Sequence, residues 1–264
     1  MNILVCLKIV SQAQFSDTLS AGTDRLSGGS LGINPADMYA LELALRVKDK
    51  QPETVVTVVT MAPGCAEHSL RTAIAVGADR AVLISDSRAS GSDTFVTARI
   101  LAAAVRKLPR QQLILCGRKA IDSETGHIGP QLAEILDIPL ATGVLSFSPD
   151  DSRVGFVCAR DGFSAEYSGA LPAVLTVCNG TDMVRNPTIS GLRRSKNADI
   201  LRFDLDELGI SPDAAGVEGS PTRTVKVEDT GFRRGGGCRI YGAAEGVARL
   251  LELLKSRPEG MRYE

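Results

Sequence analysis

The stretch Gly117–Gln131, GRKAIDSETGHIGPQ, gathers the groups best able to do chemistry: Asp122, Ser123, Glu124, Thr125 and His127 stand almost side by side. It follows the apolar run Leu113–Cys116 and leads into a helix-like segment that opens near Gly129. A polar loop between a strand and a helix lies at the carboxyl end of the strand, where open α/β sheets bind ligands. The amides that open the next helix can receive a phosphate. The same pattern also fits an ordinary strand-to-helix connection capped by Ser or Thr. Lys8, a cation in the apolar run Asn2–Val10, is the second candidate. Near the carboxyl edge of a sheet it can face a phosphate, or it can snorkel outward from a strand end.

Other chemistries lack their residues. The chain contains no GxxxxGK[ST] or HExxH, and the glycines from Gly117 to Gly129 do not form GxGxxG. A histidine can in principle serve as a general base, but His127 has no obvious partner nucleophile, so it reads as a ligand contact or a surface residue. Asp122 and Glu124 read as loop and capping groups before a magnesium pair. The six cysteines are scattered without a Cys-x-x-Cys pair beside two histidines, which argues against a zinc or iron–sulfur centre and for a reducing, cytoplasmic setting. A net charge of −1 without a block of Lys and Arg argues against nucleic acid. The N-terminus MNILVCLKIV is too short to span a membrane and has no cleavage pattern, so it reads as a first strand. Aromatic residues make up 4% of the chain and Trp is absent, so an adenine would rest on backbone and aliphatic groups rather than between rings.

The elements that must position these residues alternate strand and helix. Asn2–Val10, Val55–Met61, Ala81–Ile84 and Leu113–Cys116 are short apolar runs of buried parallel strands. Between and after them, helical spacing covers the segment after Asn34-Pro35, Ala66–Val76, Asp93–Lys107 and Gln131–Leu136. The alternation predicts a doubly wound, mostly parallel sheet. Beyond Pro139, Thr142–Phe147, Val154–Ala159 and Ser164–Ser168 predict added antiparallel strands, and Ala173–Val177 one more apolar strand. Asn179–Ala198 reads as an exposed basic loop without periodicity. The expected division is a nucleotide-binding α/β domain over 1–203, a linker over 204–222 and a C-terminal arm over 223–264. The arm would comprise the alternating run Arg223–Glu228, the glycine-rich Thr230–Gly237 and an amphipathic helix over Ala243–Lys255.

Six segments, in order, carry a resemblance over nearly the whole chain: ILVCLKIV, INPADMYALELALRVKD, SLRTAIAVGADRAVLIS, LCGRKAIDSETGHIGPQLAEIL, LPAVLTV and MVRNPTISGLRRSK. Together they resemble the β subunit of electron-transfer flavoproteins. The resemblance implies a Rossmann-like fold of the adenine nucleotide α-hydrolase type, in a heterodimer whose α subunit carries the electron-transferring FAD. On this subunit it implies AMP or a second FAD, held by Cys6, Lys8, Asn34, Asp37, Met61, Ala62, Cys116, Asp122, Thr125, Gly126, His127 and Ile128. It implies no catalytic residue on this chain.

The segment 183–197 resembles the family's recognition loop, which docks acyl-CoA dehydrogenases and similar flavoproteins. Arg185, Ile189, Leu192 and Arg193 are its contact candidates, with Ile189 as the aliphatic anchor. The arm would embrace the α subunit and bring Arg233 or Arg234 toward its flavin. The chain departs from the family at His127, where Gln is common, at Val10-Ser11-Gln12, which replaces a VPD-like stretch, and at NPTISG, which replaces RYPxLPG. Two other readings stay open: an electron-bifurcating subunit that binds FAD and NADH, and a non-catalytic nucleotide-binding regulatory protein of the same fold.

Overall fold

Strand β1 (Asn2–Cys6) shows why the sheet takes its form: Ile3 and Val5 point to one face, Leu4 and Cys6 to the other, and all four are buried. An apolar run that alternates between two covered faces can only be an interior strand. The computed structural model describes residues 1–11, 31–178, 183–225 and 241–255. By internal contacts the chain divides into Met1–Val227 and Glu228–Glu264.

The strands and helices after β1 follow in order. They are β2 (Ile9–Ser11), β3 (Leu31–Ile33), α1 (Pro35–Lys50), β4 (Val55–Met61), α2 (Glu67–Val76), β5 (Arg80–Ile84), α3 (Thr94–Lys107), β6 (Leu113–Gly117) and α4 (Ile128–Leu136). The second half adds β7 (Leu140–Pro149), β8 (Arg153–Arg160), β9 (Phe163–Ala170), β10 (Ala173–Val177), α5 (Ile189–Lys196), β11 (Ile200–Phe203) and the short α6 (Gly216–Gly219). The main sheet runs β11-β5-β4-β1-β6-β10-β7-β8-β9, and β2 pairs with β3 in a separate antiparallel ribbon. Pairing is parallel from β11 through β10 to β7 and antiparallel from β7 through β9.

From β1 the chain winds outward through β4 and β5, then returns to β6 on the other side of β1. Helices α1 and α2 contribute to the core on one face, with Leu41, Leu45, Leu70 and Ile74. Helices α3 and α4 contribute to the other, with Ile100, Leu101 and Leu132. The reversal leaves a crevice at the carboxyl ends of β1 and β6, the topological switch point of a doubly wound sheet.

Three expectations need correction. The stretch 204–222 is not a linker: Leu205, Leu208 and Ala215 are buried in the core, and Ser220 Oγ accepts from the Asp93 amide at 2.9 Å. Its Gly, Pro and Asp residues build tight turns there rather than a tether. The segment after Pro187 is not aperiodic, because Thr188 caps α5 by accepting from the Gly191 amide at 3.0 Å. A strand was also expected over Arg223–Glu228, but residues 223–225 are not a strand, and the remainder lies outside the described residues.

In the second unit the described element is α7 (Ala243–Lys255), on which Val247, Leu250, Leu251 and Leu254 are all exposed. Among the described residues no helix is long and apolar enough to cross a membrane.

Candidate nucleotide-binding site

Asp37, in the first turn of α1, joins the two strands that flank the crevice. Its Oδ2 accepts from the Lys8 amide at 2.7 Å and its Oδ1 from the Gly117 amide at 2.9 Å. Full burial pushes this carboxyl up to about 6, and the two amides, the Asn34 side chain and the Lys8 charge offset that only in part. Gly117 must be glycine here, since a Cβ would lie 2.3 Å from Asp37 Oδ1. Asn34 stands at the N-cap of α1 but makes no side-chain cap. Its Nδ2 instead donates to the Lys119 carbonyl at 3.1 Å, and its Oδ1 accepts from the Ile121 amide at 3.2 Å. One asparagine therefore holds the loop after β6 to the start of α1.

Lys8 does not snorkel free: its Nζ lies 2.6 Å from Asp122 Oδ1 and 3.4 Å from Ser123 Oγ, and the Asp122 carboxylate is almost wholly covered. Beyond Asp122 the loop turns through Glu124 and Gly126, at φ of 51° and 67°, before α4 begins. Glu124 pairs with Lys119 at 3.0 Å. Thr125 and Gly126 line a cavity of about 410 Å³ together with Arg118, Lys119, Glu124, Thr142 and Thr176. Gly129, in the first turn of α4, is packed so closely that a Cβ would lie 2.2 Å from Thr176 Cγ2.

The docking segment is built differently. Thr188 starts α5, Gly191 and Ser195 are buried, and Ile189, Leu192, Arg193 and Lys196 are exposed. Arg185, expected on the contact surface, is engaged by Glu42 and Asp49 of α1 at 2.8 and 2.7 Å.

The model of the electron transfer flavoprotein domain matches residues 27–208. The electron transfer flavoprotein subunit beta of Thermoanaerobacterium thermosaccharolyticum is 35% identical, over 97% of this chain and 99% of the relative. The caffeyl-CoA reductase–Etf complex subunit CarD of Acetobacterium woodii is 34% identical over the same shares. The acryloyl-CoA reductase electron transfer subunit gamma of Anaerotignum propionicum is 36% identical over 86% of this chain and 87% of the relative. The chain belongs to the electron transfer flavoprotein family.

Against the sites that the family resemblance implies, the residues fall into groups. Cys6, Lys8, Asn34, Asp37, Cys116 and Asp122 come together at the carboxyl ends of β1 and β6. Cys6 and Cys116 are buried neighbours in register, and the Cys6 hydrogen bond, followed by burial, pushes the Cys116 thiol up, away from a reactive thiolate. Met61 and Ala62 stand at the end of the neighbouring β4, where the Ala62 amide donates to the Ile84 carbonyl. His127 is exposed at the N-cap of α4 without a side-chain cap, and Ile128 packs partly into the core.

The residues at the strand ends and the following loop include donors of the kind an anionic group requires. Lys8 is held against Asp122 at 2.6 Å, the Thr125 hydroxyl lies at the cavity, and the turn at Gly126, with φ of 67°, leads into α4, whose N-cap residue His127 makes no side-chain cap. Sequence reasoning missed Arg118, Lys119, Thr142 and Thr176 at the cavity, and Glu42 and Asp49 as the partners of Arg185. A carboxylate at Glu42, between the apolar Leu41 and Leu43, was the signal available for the last pair. Arg233 and Arg234 lie outside the described residues.

Proposed function

We propose that the chain is the β subunit of a heterodimeric electron transfer flavoprotein, passing electrons between a flavin-dependent dehydrogenase of the acyl-CoA type and an acceptor. On this reading it performs no bond-making catalysis of its own. It holds an adenine nucleotide, AMP or the adenosine end of a second FAD, in the switch-point crevice, while the electron-transferring FAD belongs to the α subunit. FAD, where bound, supplies the redox chemistry; the residues of this chain bind, orient and dock.

The observation that carries the nucleotide reading is the construction of the crevice. A buried carboxylate, Asp37, ties the amides of Lys8 and Gly117 together, and the Lys8–Asp122 pair draws the following loop over the strand ends. So much structure invested in fixing one loop at a sheet's switch point is what ligand binding requires. The acyl-CoA reading of the partner is supported by two relatives whose names refer to caffeyl-CoA and acryloyl-CoA reductases. The docking reading rests on α5, which presents Ile189 and Leu192 to solvent amid cations, an apolar anchor with charge to steer encounter.

The test is the nucleotide content of the purified heterodimer after acid denaturation and chromatography. One FAD plus one AMP, or two FAD, per heterodimer supports the proposal, and two FAD with reduction by NADH selects the bifurcating form. A protein that purifies without a flavoprotein partner, or a heterodimer whose β site yields no adenine nucleotide, overturns it.

A further inference from the structure

Three arginines bind the segment around α5 to the body of the molecule. Arg185 donates from Nε to Glu42 Oε2 at 2.8 Å and from Nη2 to Glu42 Oε1 at 3.2 Å, and its own amide reaches Glu42 Oε2 at 3.2 Å. Its Nη2 and Nη1 reach Asp49 Oδ2 and Oδ1 at 2.7 and 3.2 Å. The Glu42 carboxylate is 5% exposed. Burial alone would raise it, but the hydrogen bonds from Arg185 and Arg46 outweigh that and hold it below the usual carboxylate range. At the far end, Arg194 donates to the Ile74 carbonyl at 2.7 Å, and Arg71 of α2 donates to the carbonyls of Ser195, Lys196 and Ala198. Between them, Gly191 lies against the Ala75 carbonyl so closely that a Cβ would come within 2.0 Å of its oxygen.

These contacts use the inward face of α5. The outward face carries Ile189, Leu192, Arg193 and Lys196, spaced i, i+3, i+4 and i+7, which is one continuous helical stripe. Arg185 and Arg194 are therefore spoken for, and no ion pair or hydrogen bond engages the side-chain heads of Arg193 and Lys196 among the described residues.

We infer that Arg185 is a positioning residue for partner docking: it ties the entry of α5 to α1 through Glu42 and Asp49, so that the outward stripe is presented as a preformed surface. The inference rests on the docking role proposed above. A surface ordered before encounter does not lose its freedom on binding, so its affinity gain comes without new contacts. The cations that α5 offers the partner reduce to Arg193 and Lys196, and the segment acts less as a basic loop than as an apolar ridge with a basic end.

The experiment uses the holo heterodimer and a purified, substrate-reduced acyl-CoA dehydrogenase as the probe. Removing Arg185 alone leaves a buried carboxylate with less compensation and can unfold the region. The matched pair Glu42→Gln/Arg185→Gln and the milder Asp49→Asn, at an exposed carboxylate, therefore accompany Arg185→Gln. Amide exchange over residues 188–196 should rise at least tenfold in Arg185→Gln and in the matched pair, and by a smaller factor in Asp49→Asn. The dehydrogenase concentration at half-maximal transfer should rise roughly tenfold while the limiting rate stays within twofold, and Arg185→Lys should restore part of both. Unchanged exchange overturns the clamp. Faster exchange with unchanged half-saturation overturns its role in docking. If Ile189→Ala is also silent in that assay, it is the docking reading that has failed rather than the clamp.

Discussion

At the scale of single residues, Asp37 gives the clearest measurable signature. Its carboxyl is pushed up to about 6 from an ordinary 3.8, so folding favours the protonated form. The contribution to stability is then fully present below the unfolded value and is lost as pH rises through the folded one. With 1.36 kcal/mol per unit, the loss between about pH 4 and pH 6 to 7 is of the order of 3 kcal/mol. Asp37→Asn carries no such titration. The difference in urea midpoint between wild type and variant should therefore drift in the variant's favour as pH rises through that window, and a pH-independent difference would refute the assignment. Lys8 and Asp122 were legible as candidates from their types at a strand end and in a loop, whereas Asn34, which reads as a helix cap, and Asp37 became candidates only through the family resemblance. Their contacts were not legible: that Asn34 grips the loop rather than its own helix, and that Lys8 meets Asp122, depends on distances between segments far apart in the chain.

At the scale of elements, the parallel strands and their helices were readable because buried apolar runs and helical stripes leave periodic traces, and β7, β8 and β9 because turn residues punctuate them. Helix α5 was not. Its eight residues, ISGLRRSK, are too few for a period to stand out, and Gly191 and Ser195 lower its intrinsic propensity. What makes it a helix is tertiary, namely the Thr188 cap and the seat on α2. Gly191→Ala tests that seat because two effects of opposite sign compete. Helix propensity favours Ala by up to about 1 kcal/mol. Against it stands a Cβ that would lie 2.0 Å from a backbone oxygen, which no rotamer can relieve, and overpacking of this kind costs roughly 1 to 3 kcal/mol. The clash should win, with a lower melting temperature and faster amide exchange in α5. A stabilised variant would show that α5 is not seated as described.

At the scale of the whole molecule, the order of strands sets where function can lie. Winding outward from β1 and returning to β6 leaves one crevice at the switch point, and the loop richest in polar groups opens there. Composition had suggested the alternation but also a linker at 204–222, because residues that make tight turns against a core look the same as residues that make a tether. The expected arm is a separate matter. In α7 the apolar residues Val247, Leu250, Leu251 and Leu254 repeat at i, i+3, i+4 and i+7, and each is more than half exposed. A four-residue apolar stripe left open to water is costly for a lone chain and normal for a surface that a partner covers. If the α subunit is that partner, as the heterodimer proposal requires, Leu250→Asp/Leu254→Asp should weaken assembly without unfolding the unit Met1–Val227. Covering the exposed remainder of two leucines contributes on the order of 2 kcal/mol, and burying two carboxylates instead adds a further cost. The heterodimer dissociation constant should therefore rise by roughly thirtyfold or more, since 1.4 kcal/mol is a factor of ten. Size-exclusion chromatography over a dilution series would read it, with the melting temperature of the isolated variant as the control. A heterodimer that persists at wild-type dilution would place the α-subunit contact elsewhere on the chain.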